Sequence, residues 1–378
     1  MKARIKSVIK DKIVNNSQEN HEIDRHKDSK SLTSKTHKES NFTKKEKFDW
    51  TLYTVLSLFL LALVAGINWF VDPLWYRKGN ILTGKNFAFN ERISKTNLFL
   101  RTKDQNYDCL ILGSSRVIAI KASRFTNNNC FNYAFKGGEI ADFIQYAQFL
   151  KNEGLNPQRV YIGVDGFNFI KKDRLAIEPL DISKIATKSP YHAYLSADVL
   201  SFSLMTLFGV SPDPANYYDR NFEPADFENV PEYKPKLDQS APALECDSSI
   251  VKQFANLRKF FPDAEFIGYV PARSPWRVVN DTYRKDLMDC YLSGFYQLSQ
   301  AYDVMYDFSI PSEITKNTKN THDGSHFSVQ INNQIADVLQ GKSTKFGIKL
   351  NQYSYEEYNA IYHQKVEEFL EEQGETTN

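Results

Sequence analysis

Residues 51–71, TLYTVLSLFLLALVAGINWFV, carry no charge. About 20 apolar residues in a helix reach across a hydrocarbon core roughly 30 Å thick. Trp50, Trp69 and Trp75 stand at or near the ends of the stretch, where aromatic side chains favour the membrane interface. A cleaved signal peptide fits less well, because the apolar run is too long, the segment before it is far too long and no A-x-A site follows. A buried core helix would ordinarily show a polar face. The stretch is therefore read as one transmembrane helix, residues 49–72, and it divides the chain. Lysines crowd its amino side more than Arg77, Lys78 and Lys85 crowd the other. That bias favours a single-pass protein with a cytoplasmic amino terminus and an extracytoplasmic body.

Residues 1–48 are polar and basic with almost no aromatic residues. Such a composition cannot offset chain entropy, so a disordered cytoplasmic tail is expected, with lysines able to meet anionic headgroups of the bilayer. His21, His26 and His37 form no ligand set. The remainder is long enough for one large domain with appendages. Asp72-Pro73 stops the membrane helix and opens a connector, 73–105. A domain follows at 106–341, with an insertion at 171–247, and a helical tail at 342–378. The formal net charge of +1 gives no nucleic-acid signature. Four cysteines without CxxC or zinc spacing argue for no disulfide scaffold, no structural metal and no cofactor. Cys246 and Cys290 are candidates to pair in an oxidising compartment, although free thiols are the preferred reading, and Cys109 is read as core packing.

Within residues 107–116, YDCLILGSSR, the run from Cys109 to Leu112 ends at Gly113 and reads as a strand buried on both faces. A second strand is expected at 130–134 and a third at 159–164. Between them, Gly137 and Gly138 precede a helix at 139–152 with Ile140, Phe143, Ile144, Ala147 and Leu150 on one face. The insertion holds an apolar helical pattern at 191–208 and a Pro- and Tyr-rich lid at 211–242. Then come a helix at 248–261, a strand at 265–270, an exit loop at 271–276, a helix at 282–302, a strand at 304–308 and a helix at 328–339. A polar helix at 353–372 is expected on the outside, and the connector helix at 90–100 is expected to turn Ile93, Leu98 and Leu100 inward. The alternation predicts a three-layer α/β/α domain with a parallel sheet. In such sheets ligands bind beyond the carboxyl ends of the strands, where Ser114 and Ser115 stand.

Residues 321–327 read THDGSHF, with Asp323 and His326 three apart. A serine in a strand-end GxS followed by a late Asp-x-x-His resembles the SGNH/GDSL hydrolase superfamily, over roughly 107–339, and in particular its membrane-anchored O-acyltransferase-like branch. The resemblance implies a flavodoxin-like α/β/α fold and a triad of Ser115 as nucleophile, His326 as base and Asp323 as its orienting carboxylate. A serine hydroxyl is a weak nucleophile until an imidazole takes its proton, and the carboxylate fixes the tautomer of that imidazole. His322 competes as base, but the three-residue offset favours His326. By the same likeness Gly137, with Gly138 as the near alternative, and Asn168 would donate to an oxyanion. Gly166-Phe167-Asn168 matches the first three positions of the family's G-x-N-D, and Phe169 stands where its aspartate would be. Ser114 replaces the aspartate of the first motif, and Ala134 the first glycine of the second.

Arg273 and Trp276, in an exit loop over the same sheet edge, are read as substrate contacts. The implied activity is that of an esterase or O-acyltransferase acting on acyl esters of a cell-envelope glycan, beside a multi-spanning acyltransferase partner. The other class that remains open is a non-catalytic binding or scaffolding subunit of an envelope polysaccharide-modification assembly.

Overall fold

The computed structural model describes residues 44–171, 182, 190–211, 217–226, 230–238, 244–284, 286–342 and 345–374. Residues 1–43 of the expected disordered tail, and 212–216, 227–229 and 239–242 of the expected lid, lie outside the described residues, whereas 44–48 of that tail are helical. The chain divides into two compact units, Met1–Thr54 and Val55–Asn378. Of the first, only the opening turns of helix α1 (Lys44–Val71) are described. This helix is long and apolar enough to cross a membrane.

After α1 the chain runs through β1 (Asn86–Phe87), α2 (Glu91–Thr102), β2 (Cys109–Leu112), β3 (Cys130–Asn132), α3 (Ile140–Asn152) and β4 (Arg159–Gly163). The insertion contributes α4 (Pro190–Tyr194), α5 (Ala197–Leu207), β5 (Tyr217–Tyr218) and β6 (Pro224–Ala225). Then follow α6 (Ser249–Asn256), β7 (Glu265–Val270), α7 (Pro275–Thr282), α8 (Leu287–Ser299) and β8 (Val304–Asp307). The chain closes with α9 (Glu313–Lys316), α10 (Val329–Leu339), β9 (Ile348–Lys349) and α11 (Tyr355–Glu372).

The architecture is mixed α/β, built on a six-stranded sheet of order β3-β2-β4-β7-β8-β9. The first five strands are parallel, and β9 joins β8 antiparallel. With only two residues, β9 leaves no periodic trace in the sequence. Side chains alternate across the central strands as period two requires. Leu110, Leu112, Val160, Ile162, Phe266 and Val270 face one core with α3, α6, α8 and α11. Cys109, Ile111, Tyr161, Ile267 and Tyr269 face the other with α10. Each such side chain, fully buried, contributes about 1.5–3 kcal/mol. Helix α11 packs on the outside as expected, with Glu356, Glu357, Glu367 and Glu371 exposed, but its inner face supplies Tyr358, Tyr362, Val366 and Phe369 to the first core. The helix expected over 282–302 is α8 alone, which begins only at Leu287, after Asp286 takes a left-handed backbone (φ 58°), and α7 precedes it, starting inside the expected exit loop.

All four cysteines are bridged, as Cys109–Cys130 and Cys246–Cys290. The preference for free thiols is thereby corrected. Cys109 and Cys130 are register partners on β2 and β3, a proximity that strand pairing creates and linear spacing does not reveal.

Helix α2 also departs from expectation. It buries Glu91, Ser94, Lys95, Thr96, Asn97 and Phe99, whereas Ile93, Leu98 and Leu100 remain partly exposed. The cause is its place along β3, at the edge of the main sheet, where unpaired backbone groups need partners. The Lys95 ammonium donates to the Ala134 carbonyl (2.5 Å), and the Glu91 carboxylate accepts from the Lys136 N–H (2.8 Å).

Burial pushes the Lys95 pKa down to about 8, opposed in part by Glu91 and Glu223. Unfolded lysine titrates near 10.4. The folded chain therefore sheds this proton first, and stability rises with pH between about 8 and 10.4. Full-chain protein in detergent, unfolded by denaturant at pH 7.5 and again at pH 10, is expected to gain about 2 kcal/mol relative to a Lys95→Met variant. An equal pH response of the two proteins would contradict this.

Candidate active site

The loop after β2 owes its shape to two missing side chains. A Cβ on Gly113 would lie 2.3 Å from Val117 Cγ2, and a Cβ on Gly163, at the end of β4, 2.2 Å from the same atom. Val117 fills the space that both glycines leave. Its N–H donates to the Ser114 carbonyl (3.0 Å), so the chain turns back at once and presents Ser115 on the rim. Ser114 is buried, and its hydroxyl accepts from the Arg116 N–H (3.2 Å). Arg116 Nη1 reaches Asp165 Oδ1 just past β4 (2.8 Å), at 16% and 1% side-chain exposure. Burial lowers the Arg116 pKa, and Asp165 opposes that. The pair fixes the Ser115 turn to the neighbouring strand end.

On the far side of the sheet edge, residues 321–327 close on themselves. The Asp323 carboxylate accepts from the N–H groups of Ser325 and His326 through Oδ1, both at 2.8 Å. Thr321 Oγ1 donates to the His326 carbonyl (2.8 Å) and accepts from the Gly324 N–H (2.9 Å). Gly324 takes φ +83°, and a Cβ there would meet the Tyr233 hydroxyl at 2.5 Å. Two residues after β7 clamp this loop. The Ser274 N–H donates to the Gly324 carbonyl (2.8 Å), and Arg277 donates to the Asp323 carbonyl through Nη2 (3.0 Å) and Nε (3.2 Å). Neither residue is singled out by the sequence, where no local pattern marks a side chain that serves a loop 46 positions later.

Between these halves runs a chain of hydrogen bonds. His326 Nδ1 lies 2.7 Å from Asp323 Oδ2, and His326 Nε2 lies 2.8 Å from Ser115 Oγ. With a carboxylate at Nδ1 the proton resides there, so Nε2 accepts from the hydroxyl. Burial of Asp323 would raise its pKa, but the hydrogen bond from His326 and its charge hold the carboxyl well below the usual carboxylate range. Asp323 is thus an anion over the whole physiological range. The His322 ring stacks on His326 with centroids 5.3 Å apart, and its Nε2 is 4.0 Å from Asp323 Oδ2. Donor atoms of His322, Asp323 and His326 all fall within 4.8 Å of one another. A cation bound to that set would have to displace the His326–Asp323 hydrogen bond.

The expected oxyanion donors divide. Gly137 has φ +63° with open space where a Cβ would stand. Among the described residues, neither its N–H nor that of Ser115 has a hydrogen-bond acceptor. Gly138 is committed elsewhere, its N–H donating to Phe135 O (3.1 Å), and a Cβ there would stand 2.9 Å from the Gly113 carbonyl. Phe135 N–H donates to that same carbonyl (3.2 Å), which joins the Gly137 loop to the Ser115 loop. Asn168 is buried, its Oδ1 accepting from Ile140 N (3.3 Å) and its Nδ2 donating to Asp165 O (3.2 Å). It caps its own turn and the start of α3. Arg273 is not brought to the serine. Its guanidinium is buried against Asp281 (Nη1 to Oδ2, 2.5 Å), where it ties the exit loop to the end of α7. Trp276 packs edge-on against Phe369 in the first core.

Ser115, Arg116, His322 and His326 line a narrow cleft roofed by Tyr217, Pro224 and Ala225. The roof belongs to a three-stranded sheet in which β5 pairs with both β1 and β6. A cavity of about 650 Å³ adjoins it, sharing Ile118 and Pro224 with the cleft. The chain matches no protein-family model and no curated protein.

Arg116→Met would leave the Asp165 carboxylate buried without its partner, at a cost of about 3–5 kcal/mol. Replacing both, as Arg116→Met with Asp165→Leu, is expected to restore most of that loss in denaturant unfolding. A double variant no more stable than the single one would contradict the pairing.

Proposed function

We propose that this chain is a membrane-anchored, extracytoplasmic protein of the SGNH hydrolase type, with that group's flavodoxin-like fold, and that it transfers or hydrolyses acyl esters of a cell-envelope glycan. One observation carries the proposal: a carboxylate, an imidazole and a serine hydroxyl in hydrogen-bond sequence at 2.7 and 2.8 Å on a sheet rim. This is the arrangement by which a neutral hydroxyl becomes a nucleophile.

Ser115 Oγ attacks the acyl carbonyl carbon while its proton passes to His326 Nε2. The carbonyl electrons move to oxygen, which the free N–H groups of Ser115 and Gly137 receive. One such donor is worth about 3 kcal/mol of barrier. Collapse expels the alcohol, which takes the proton from His326 and leaves the acyl group on Ser115. A second hydroxyl, from water or a sugar, then gives its proton to His326 and attacks the acyl-enzyme, and Ser115 is regenerated. The adjoining cavity supplies room for an acceptor larger than water. Two disulfides favour an oxidising compartment, in accord with the lysine bias around α1. A multi-spanning acyltransferase is the partner class that such an anchored domain would serve.

The non-catalytic reading draws on the local engagement of Asn168 and on Ser114 in place of an acidic residue. Turnover of p-nitrophenyl acetate by the full chain separates the two. Ser115→Ala and His326→Ala are expected to reduce it to background, and Asp323→Asn to lower kcat roughly 10⁴-fold. Turnover that survives Ser115→Ala unchanged would overturn the proposal and favour a scaffold.

A further inference from the structure

Helix α5 is built inside out for a helix in water. It buries Val199, Ser203 and Thr206, while Leu204 is 37% exposed. Leu195 before it, at 54%, and Phe208 and Val210 after it, at 78% and 54%, are more exposed still. A helix in water puts its apolar stripe against the core and its hydroxyls outside. The buried hydroxyls here are satisfied: Ser203 Oγ donates to Asn68 Oδ1 (2.9 Å), and Thr206 Oγ1 to the Phe202 carbonyl (2.9 Å). Asn68, on α1, is fully buried and donates through Nδ2 to the carbonyls of Tyr194 (2.8 Å) and Ser196 (3.2 Å). A polar clasp therefore fastens α4 and α5 to the carboxyl end of α1, and apolar side chains point away from it. Ser203, Thr206 and Asn68 turned inward, with Leu204 and the flanking Leu195, Phe208 and Val210 outward, is the arrangement of a helix face whose solvent is hydrocarbon.

We propose that α4 and α5 lie in the bilayer leaflet at the carboxyl end of α1, with Leu195, Leu204, Phe208 and Val210 in contact with acyl chains. The inference rests on the reading of α1 as a membrane anchor. The exposed face continues the exposed apolar surface of α1, where Leu58 and Leu61 are 61% and 50% exposed, so one lipid surface covers both. Trp69 joins the two, its ring meeting Tyr194 edge-on (5.1 Å) and carrying the Arg77 guanidinium on its face (3.6 Å). An indole topped by a cation fits the level where acyl chains give way to headgroups. Helix α5 has 11 residues, about 16 Å of rise, so it lies along the interface and does not cross. A domain held at two points on the membrane is fixed in tilt, which sets the height of the Ser115 cleft above the lipid.

Because the native cysteines are all bridged, a single added thiol can be labelled selectively. The full chain in phosphatidylcholine–phosphatidylglycerol nanodiscs would carry an environment-sensitive fluorophore in turn at Leu58→Cys, Leu204→Cys, Phe208→Cys and the exposed Lys151→Cys. Acyl-chain spin-labelled lipid is expected to quench the probes at 58, 204 and 208, and aqueous iodide to quench only that at 151. Lipid quenching at 58 combined with iodide access at 204 and 208 equal to that at 151 would overturn the inference and leave the anchor intact. Absence of lipid quenching at 58 would remove the anchor and the inference together. Shielding from iodide at 204 and 208 in native membranes but not in nanodiscs would overturn it in favour of a protein partner on this face.

Discussion

The hydrogen bond between Ser115 and His326 joins side chains 211 positions apart, and the rest of the fold serves to make that distance 2.8 Å. Neither residue is held by its own loop alone. Ser115 is fixed because Val117 occupies the room left by two glycines and because Arg116 grips a carboxylate on the next strand. His326 is fixed because Asp323 takes three hydrogen bonds from its own loop, and because Ser274 and Arg277 hold that loop from β7. Parallel strands place all of these loops at one sheet edge, which is why distant segments meet there. Preorganisation of this kind lets a serine be activated without reorganisation at the moment of attack.

The parts of this arrangement that were legible beforehand are those encoded in a few consecutive residues. A four-residue apolar run stopped by Gly113 marks β2 and its exit, and Asp323 and His326 sit within one short string. Gly137 enters by likeness to a family pattern, and among the described residues its N–H has no hydrogen-bond acceptor. What stayed hidden is whatever depends on tertiary neighbours. Arg277 and Ser274 act across long separations. The roof over the cleft is made from strands of two residues each, below the length at which alternation can be read. Arg273 has the right chemistry for a substrate contact, yet Asp281 claims it, and one exposed-looking loop residue cannot announce a buried partner.

Two helices show the same lesson from their solvent. Helix α2 looked amphipathic, with its leucines inward, but it shields a sheet edge and so buries the groups that can bond to backbone. Helix α5 carries an apolar pattern that suits a core, whereas in the fold Ser203 and Thr206 point in and Leu204 points out. Pattern alone gives the existence of a helix. Which face is covered depends on what lies opposite, a strand edge in one case and, on the account given above, lipid in the other.

The central claim is that Ser115 is a nucleophile activated by His326. Treatment of the full chain with a fluorophosphonate, followed by intact-mass measurement and peptide mapping, tests it most directly. The account predicts one phosphonyl adduct, located on Ser115, and its loss in His326→Ala although the serine is still present. An unmodified wild-type chain, or an adduct that persists without His326, would contradict it.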